Sequence, residues 1–248
     1  MQANHNAPIA LVTGAAGGVG AAAAAALADA GYRVALADLD EHAAEVLARR
    51  LERGAFAVRM DVGDAADVDR GVRRIASEGP IDVLVNNAGI VVSGPLVEMS
   101  VHDWEAVCRV NLSGVFYCSK AVIASMMARR TGRIINISSI SAAKGGGVIG
   151  NALYAATKAA VDAFTKGFAR ELGPYGVTVN AIAPGLLATR MTTVRLTKQM
   201  HDAAVSSIPG RRLGTPDDIA AAVLFLASPQ ASYVNGAILN IDGGRLTV

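Results

Sequence analysis

A tyrosine and a lysine four residues apart are the side chains in this sequence best suited to acid–base chemistry. Tyr154 and Lys158 lie in the segment YAATK, within a stretch whose apolar pattern favours a helix. On a helix, residues four apart share one face. A tyrosine with a pKa of about 10 is a poor base at neutral pH, and a neighbouring ammonium group favours its phenolate. The pair predicts a proton-transfer site, although Tyr-x-x-x-Lys alone is also a common surface pairing.

A glycine-rich turn near the start of the chain could bind phosphate groups. The segment TGAAGGVG, residues 13–20, follows a predicted strand and opens a predicted helix. Glycines let the backbone turn sharply and approach a pyrophosphate, and a helix N-terminus supplies N–H groups and a positive dipole. This context predicts dinucleotide binding by the residues of the turn and the first helical turn, which are Gly14, Gly17, Gly18, Val19 and Gly20.

A single carboxylate indicates which dinucleotide would bind. Asp38 ends the next predicted strand, about 20 residues after the glycine turn, where it can accept hydrogen bonds from the adenosine ribose. The same charge would repel a 2′-phosphate, because like charges ~4 Å apart cost about 4 kcal/mol at an effective dielectric near 20. Neither Gly17 nor Leu39 offers an offsetting positive charge. The predicted cofactor is therefore NAD rather than NADP, and the alternative is a solvated acid at a strand end.

The elements that must position these residues alternate along the chain. The predicted strands are nearly continuous apolar runs, as expected when both faces of a sheet are covered. They are Ile9–Thr13, Arg33–Asp38, Ala55–Asp61, Val83–Asn86, Arg133–Ser138, Thr178–Ile182 and Ala237–Ile241. The predicted helices between them are Val19–Ala30, Glu41–Arg53, Ala65–Ser77, Val101–Arg129, Leu153–Leu172 and Asp217–Ala227. This order predicts an α/β fold, a Rossmann-type doubly wound parallel sheet of about seven strands with helices on both faces.

The domain organisation follows from the absence of a break. No linker or change of composition divides residues 1–248, so we predict a single domain. The polar stretch 184–215 holds no strand candidate. We expect a substrate lid there, over about 186–214, with a short helix around Thr197–Ser206.

The composition argues against several other classes of protein. The chain is 52% hydrophobic and 18% charged, with a formal net charge of +2, and has no cluster of five or more basic residues. We therefore expect no nucleic-acid or membrane-surface binding. The uncharged stretch Ile9–Ala28 is mostly Ala and Gly, so we expect no membrane span. Cys108 and Cys118, with scattered histidines, predict no disulfide framework and no metal site, which favours a cytoplasmic protein.

Taken together, the motifs resemble the classical short-chain dehydrogenase/reductase family over essentially the whole chain, from Ile9 to Gly244. In order, the matching features are the glycine turn, Asp61-Val62, Asn86-Asn87-Ala88-Gly89, Asn111, Ser138-Ser139, Tyr154 with Lys158, Pro184-Gly185 with Thr189, and Asp242-Gly243-Gly244. The resemblance implies an NAD-dependent oxidoreductase that transfers a hydride between nicotinamide and a secondary alcohol or ketone. It also implies a homotetramer, in which apolar helices around 101–127 and 153–168 could pair across a two-fold axis.

The resemblance also implies roles for individual residues. Tyr154 would exchange a proton with the substrate oxygen. Lys158 would hold the nicotinamide ribose and lower the tyrosine pKa, and Asn111 would hold a water in a proton relay. The further cofactor contacts that it implies are Asp61 and Val62 at the adenine, Asn87 near the ribose, Thr189 at the carboxamide, and Ala88, Gly89, Pro184 and Gly185.

The position of the catalytic serine is left between two candidates. The spacing usual in the family, thirteen residues before the tyrosine, gives Ser141, whereas alignment of the strand 134–137 gives Ser139. Insertions belong in loops, so we favour Ser139, with Ser141 as a second hydroxyl that contacts the substrate. Two hydroxyls and Lys144 resemble the members of the family that oxidise polyols or sugar acids.

Three alternative functions are weighed against this one. The first is a 3-oxoacyl reductase acting on acyl-carrier-protein or CoA substrates, for which Arg129, Arg130 and Arg133 could attract an acidic carrier. A non-catalytic dinucleotide sensor would not need the tyrosine, lysine and serine together. An epimerase or dehydratase would use the same pair but usually carries a longer C-terminal region.

Overall fold

Seven parallel strands form one sheet at the centre of the protein. The structure, a computed structural model, describes residues 7–189, 192, 194 and 197–247. The strands are β1 (Ile9–Thr13), β2 (Arg33–Asp38), β3 (Phe56–Arg59), β4 (Ile81–Asn86), β5 (Gly132–Ile137), β6 (Val177–Pro184) and β7 (Ile238–Ile241). They lie in the order β3-β2-β1-β4-β5-β6-β7. The predicted Rossmann-type α/β fold is confirmed.

Helices cover both faces of this sheet. They are α1 (Gly18–Asp29), α2 (Glu41–Leu51), α3 (Ala65–Ala76), α4 (Val101–Cys108), α5 (Gly114–Arg129), α6 (Ser141–Lys144), α7 (Ala152–Leu172), α8 (Lys198–Ser206) and α9 (Pro216–Ala227). Alternate strand residues enter two separate cores: Val12 packs with Leu27 of α1 and Val223 of α9, whereas Leu11 packs with residues of α3 and α5. This alternation explains why the strands read as continuous apolar runs.

The helix predicted over Val101–Arg129 is present with these bounds. A π-helical turn, Arg109–Ser113, interrupts its regular geometry between α4 and α5. An 18-residue window of this stretch is apolar enough to cross a membrane by length and composition alone, with a mean hydropathy of 1.2. A core helix passes the same test, and here Cys118, Val122 and Met126 are buried against the sheet.

The sheet order creates a crevice at the carboxyl ends of β1 and β4. From β1 the chain proceeds outward to β2 and β3, and then returns to β4 on the other side of β1. The loops that follow β1 and β4 therefore diverge, and in open α/β sheets ligands bind at this switch point.

The segment predicted as a lid is closed at its base. Leu187 and Gly214 form an isolated bridge, with hydrogen bonds from Ala188 N to Gly214 O (2.8 Å) and from Gly214 N to Leu186 O (3.0 Å). The short helix predicted around Thr197–Ser206 is present as α8, capped by the Thr197 hydroxyl. Residues 190, 191, 193, 195 and 196 of this segment lie outside the described residues.

Candidate active site

The glycine turn joins β1 to α1 and opens towards the crevice. Gly14 and Gly18 have positive φ angles of 62° and 55°. A Cβ on Gly20 would lie 2.1 Å from Gly14 O, so this position admits only glycine without a shift of the backbone. A Cβ on Gly17 or Gly18 would meet nothing within 4 Å. These two residues therefore leave open space above the helix N-terminus.

Asn87, which follows β4, holds the glycine turn in place. Its side-chain amide donates to Thr13 O (3.0 Å) and Gly14 O (2.9 Å). In return, the Thr13 hydroxyl accepts hydrogen bonds from Asn87 N and Ala88 N (3.0 and 3.1 Å). The sequence predicted Asn87 as a cofactor contact. It lines the cavity, but its amide nitrogen is engaged by the turn, a role that the motif alone does not indicate.

The start of α1 fits a pyrophosphate group. Its N-cap residue, Gly17, makes no side-chain cap hydrogen bond, and the first turn of the helix carries no acidic residue. The first N–H groups of a helix have no partner within the helix, and their dipoles favour an anion. With the open space above Gly17 and Gly18, these groups can receive the phosphates of a nicotinamide dinucleotide.

Two carboxylates lie at the far end of the crevice, after β2 and β3. Asp38 accepts hydrogen bonds from Ala16 N (2.8 Å) and Asp40 N (3.1 Å), which fixes its side chain beside the glycine turn. Asp61 accepts from Arg109 Nη1 (2.8 Å) and Gly63 N (2.8 Å). Burial alone would raise the pKa of Asp61, but the hydrogen bonds and the positive charge of Arg109 outweigh it and lower this pKa. Sequence reasoning did not identify Arg109.

Tyr154 and Lys158 lie on α7, which begins beside the crevice. The Asn151 side chain accepts hydrogen bonds from Leu153 N and Tyr154 N (3.1 and 3.3 Å), so the helix starts immediately before the tyrosine. Lys158 Nζ lies 5.7 Å from the centroid of the Tyr154 ring and donates to Ile137 O at 2.6 Å. The lysine is thus held between the tyrosine and the end of β5.

Burial shifts the pKa values of both side chains. It raises the pKa of Tyr154 above its ordinary value, and a hydrogen bond with Ser139 works in the opposite direction. The pKa of Lys158 is lowered by burial to about 8, although the nearby Asp162 carboxylate favours the charged form. The sequence predicted a lowered tyrosine pKa. The net direction in the structure is the reverse, because desolvation of the phenolate by burial is the larger effect.

The two candidate serines both line the cavity but differ in their contacts. Ser139 follows β5, forms the hydrogen bond with Tyr154, and accepts from Ser141 N at 3.1 Å. Ser141 is the first residue of the short helix α6, and its hydroxyl faces Gly147. Of this pair, only Ser139 acts on the pKa of Tyr154, which its hydrogen bond lowers.

Asn111 lies in the π-helical turn, behind the cavity wall. Its amide accepts from Ile90 N (2.8 Å) and donates to Ile90 O (2.9 Å), and the side chain is fully buried. A Cβ on Gly89 would lie 3.4 Å from Asn111 Oδ1 and 3.7 Å from Lys158 Nζ. Gly89 is thus the residue between the asparagine and the lysine. Asn111 does not line the cavity, and its predicted water-mediated link to Lys158 stays a prediction.

A single cavity of about 530 Å³ collects nearly all of the predicted site residues. Gly20 and Asn111 are not in its wall. The predicted residues that line it are Gly14, Gly17, Gly18, Val19, Asp38, Asp61, Val62, Asn87, Ala88, Gly89, Ser139, Ser141, Tyr154, Lys158, Pro184, Gly185 and Thr189, with Lys144. Arg245, which sequence reasoning missed, also lines it. The volume is in the range of small-molecule sites.

Among the residues that the structure describes, there is no group of three or more histidine, cysteine, aspartate or glutamate side chains that could hold a metal ion. Among the groups that line the cavity are the hydroxyls of Ser139 and Tyr154, the ammonium group of Lys158 and the carboxylates of Asp38 and Asp61.

Comparison with known proteins supplies the family. Residues 14–245 match the family model described as enoyl-(acyl carrier protein) reductase. The chain is 40% identical over 246 residues to the 3-oxoacyl-(acyl-carrier-protein) reductase FabG of Escherichia coli (strain K12), covering 99% of this chain and 100% of that protein. The corresponding reductase of Synechocystis sp. (strain ATCC 27184 / PCC 6803 / Kazusa) is 43% identical, with 97% of each covered.

A solved structure agrees with the observed fold. The gluconate 5-dehydrogenase of Burkholderia cenocepacia J2315, solved in complex with NADP and tartrate, superimposes with a TM-score of 0.92 at 37% identity. The superposition covers 97% of this chain and 96% of that one. With the glycine turn, the serine and the Tyr-Lys pair in one cavity, these matches establish that the chain belongs to the short-chain dehydrogenase/reductase family of oxidoreductases.

Proposed function

We propose that the protein transfers a hydride between NAD and a secondary alcohol or ketone, with polyols or sugar acids as its substrates. The observation that carries this proposal is the grouping of Ser139, Tyr154 and Lys158 at one end of a cavity whose other end is the glycine turn. A dinucleotide-binding sensor would not need these three side chains together.

Tyr154 is proposed as the group that moves the proton. In oxidation, its phenolate accepts the proton of the substrate hydroxyl, while Ser139 donates a hydrogen bond to the substrate oxygen. The bound nicotinamide supplies the hydride acceptor, or the hydride donor in the reverse direction. Lys158, when charged, favours the phenolate and can donate to a ribose hydroxyl. Asn111 holds the backbone of Ile90 beside Gly89 and so keeps this wall of the cavity fixed.

The choice of NAD is supported by Asp38. Its carboxylate is fixed by two backbone N–H groups at the end of β2, and it lines the cavity beside Leu39. A 2′-phosphate bound there would face a charge of its own sign. The solved relative from Burkholderia cenocepacia binds NADP, so this proposal needs its own test, given in the Discussion.

The substrate class is supported by the groups around Tyr154. Ser139, Ser141 and Lys144 offer two hydroxyls and an ammonium group to a substrate that carries several oxygens. The solved relative is a gluconate 5-dehydrogenase with tartrate bound. Gluconate and tartrate are both hydroxy acids. These features favour a polyhydroxylated substrate over a long acyl chain.

The second candidate is a 3-oxoacyl reductase, which the names of the curated relatives favour. The basic cluster of Arg129, Arg130 and Arg133, which could attract an acidic carrier, gives this second candidate little support. Arg129 pairs with Asp82 (2.6 Å) at the start of β4, and Arg133 lies near the start of β5. The cavity is at the opposite ends of these strands, so a carrier docked on the cluster would not deliver its thioester to Tyr154.

We also propose the larger organisation of the protein. The segment 186–214, closed at its base by the Leu187–Gly214 bridge, would act as a lid over the substrate. A homotetramer would bury an aromatic surface formed by Phe116 of α5 with Phe164 and Phe168 of α7. We expect a cytoplasmic protein without nucleic-acid, membrane or metal partners.

The experiment that tests the function follows the absorbance of reduced nicotinamide with a panel of polyols, sugar acids and secondary alcohols. We expect turnover with NAD. Tyr154→Phe should lower kcat/KM by about 10²–10⁴-fold, because the proton then has no acceptor at the substrate oxygen.

Tyr175→Phe is the matched control, since Tyr175 is an exposed residue outside the cavity. It should retain the activity of the parent protein. Undiminished turnover by Tyr154→Phe would contradict the proposed mechanism, and turnover of acetoacetyl thioesters alone would favour the reductase alternative.

A further inference from the structure

The charges in the cavity are divided along the sheet. The two carboxylates, Asp38 and Asp61, follow β2 and β3 at one end of the strand order. The cations lie in the other half: Lys144 and Lys158 near the end of β5, and Arg245 after β7. Because neighbouring strands are about 4.8 Å apart, Arg245 is separated from Asp38 by roughly 20–25 Å of sheet. The cofactor phosphates belong at the glycine turn, so they do not account for this positive end.

Arg245 is set into the cavity wall by the turn that follows β7. Asp242 accepts hydrogen bonds from Gly244 N (2.9 Å) and Leu246 N (2.8 Å), so the carboxylate nearest in sequence is engaged by the backbone. Arg245 is partly buried. Within the ranges that the structure describes, its guanidinium has no ion pair and no side-chain hydrogen bond, and the same holds for the ammonium group of Lys144.

A series of contacts connects this arginine to the reacting groups. Ser139 contacts Tyr154, and the next residue, Ile140, donates its N–H to Pro184 O at 3.1 Å. Pro184 ends β6 and is paired with Ile241 of β7. The turn that carries Arg245 begins at the following residue. Arg245 is therefore placed on the side of the cavity where the substrate, rather than the adenosine, would bind.

We propose that Arg245 is a specificity residue that binds a carboxylate of the substrate, with Lys144, an exposed residue that lines the same cavity, as a second cation. The substrate is then a hydroxy acid rather than an uncharged polyol. A guanidinium group matches a carboxylate in two parallel hydrogen bonds, and an unpaired, partly buried one is ready to accept it. This inference rests on the proposed function, because it assigns the substrate class of the same site.

The test compares D-gluconate with sorbitol, which share a carbon chain and differ in the carboxylate. Arg245→Gln should lower kcat/KM for gluconate by about 10–100-fold, the usual effect of losing a charge-assisted hydrogen bond. Activity with sorbitol should change by less than about twofold. Arg245→Lys, which keeps the charge, should fall between the parent and Arg245→Gln. Arg50→Gln, an exposed residue of α2 outside the cavity, is the control for loss of charge.

Calorimetry with the NADH-loaded protein gives a readout that does not depend on turnover. Gluconate or L-tartrate should bind the parent protein, and binding should weaken in Arg245→Gln while the affinity for NADH is unchanged. Equal losses for gluconate and sorbitol, a weakened affinity for NADH, or no binding of either acid to the parent protein would each overturn the inference. Tyr154-dependent oxidation of sorbitol alone would leave the proposed function standing and reject the carboxylate site.

Discussion

Two aspartates line the cavity, Asp38 and Asp61, and they differ in their hydrogen-bond partners. Asp61 is paired with the Arg109 guanidinium at 2.8 Å, so its charge is largely balanced. Among the residues that the structure describes, Asp38 has only backbone N–H groups as hydrogen-bond partners, and its charge faces the cavity. At the scale of single residues, we therefore expect the charge of Asp38 to determine the preference between the two dinucleotides.

We predict that Asp38→Asn shifts the ratio of kcat/KM for NAD over NADP towards NADP by about tenfold or more. The amide keeps an acceptor for one of the two backbone N–H groups but no longer repels a 2′-phosphate. Steady-state kinetics with both cofactors measure the ratio. Glu41→Gln, a neighbouring change of the same charge outside the cavity, should leave it unaltered. A parent protein that already prefers NADP would reject this role for Asp38.

Lys158 predicts a pH dependence of stability. Its pKa is about 8 in the folded protein, against an ordinary value of 10.5. Between these two values the unfolded chain binds more protons than the folded one, so the free energy of unfolding rises with pH across this window. Below pH 8 both states are protonated and the full cost of burying the charge is present.

The substitution Lys158→Met removes this titration. The free energy of unfolding of the variant, relative to the parent, should therefore be higher at pH 7 than at pH 10. Urea unfolding of both proteins without cofactor, at a series of pH values, measures the difference. Parallel pH profiles for the two proteins would show that the lysine pKa is not lowered by burial.

At the scale of elements, two glycines of the glycine turn have different roles: Gly20 is required for packing, and Gly17 faces the cavity. Gly20 packs against Gly14 O, whereas Gly17 faces open space in the cavity. We predict that Gly20→Ala destabilises the protein by about 1–3 kcal/mol, because the added methyl group must displace backbone atoms. Gly17→Ala should change stability by less than about 1 kcal/mol and weaken NAD binding about tenfold, because its methyl group lies where a pyrophosphate approaches.

Thermal unfolding and NADH fluorescence titration measure these two effects separately. A Gly17→Ala protein with unchanged affinity for the cofactor would show that the pyrophosphate does not approach this residue.

The π-helical turn, Arg109–Ser113, is a second local feature that positions a site residue. Asn111 lies in this turn, and its amide makes hydrogen bonds with both backbone groups of Ile90.

At the scale of the whole molecule, an aromatic surface on α5 and α7 predicts self-association. Phe164 stacks on Phe168 with ring centroids 5.3 Å apart, and Phe116 lies 6.4 Å from Phe164 while remaining 38% exposed. Trp104 of α4 is 46% exposed on the same helical stretch. Exposed aromatic groups of this kind mark protein–protein contacts.

We predict a homotetramer in light scattering and its dissociation by Phe116→Asp, because a carboxylate buried without a partner is strongly unfavourable at an interface. Val46→Asp, on the exposed face of α2, is the control and should leave the assembly intact. A parent protein that is monomeric at micromolar concentration would reject the tetramer.

Much of the molecule could be predicted from the sequence alone. The seven strands, the glycine turn, Asp38 and the Tyr154–Lys158 pair depend on local patterns: apolar runs, glycine positions and the four-residue spacing of a helix. These patterns are set by backbone sterics and by burial, which act over a few residues. The sequence therefore determined the family and the fold class, and the acid–base role of Tyr154 and Lys158 stays a prediction.

The other contacts within the site were decided only by the tertiary structure, because they join residues that are distant in the chain. The contact of Ser139 with Tyr154, the pairing of Asp61 with Arg109, and the amide of Asn87 on the glycine turn each join separate elements. The direction of the Tyr154 pKa followed the depth of burial rather than the spacing to the lysine. Arg245 lines the cavity because it follows β7, which pairs with β6. The pairing of these two strands cannot be predicted from a local sequence pattern.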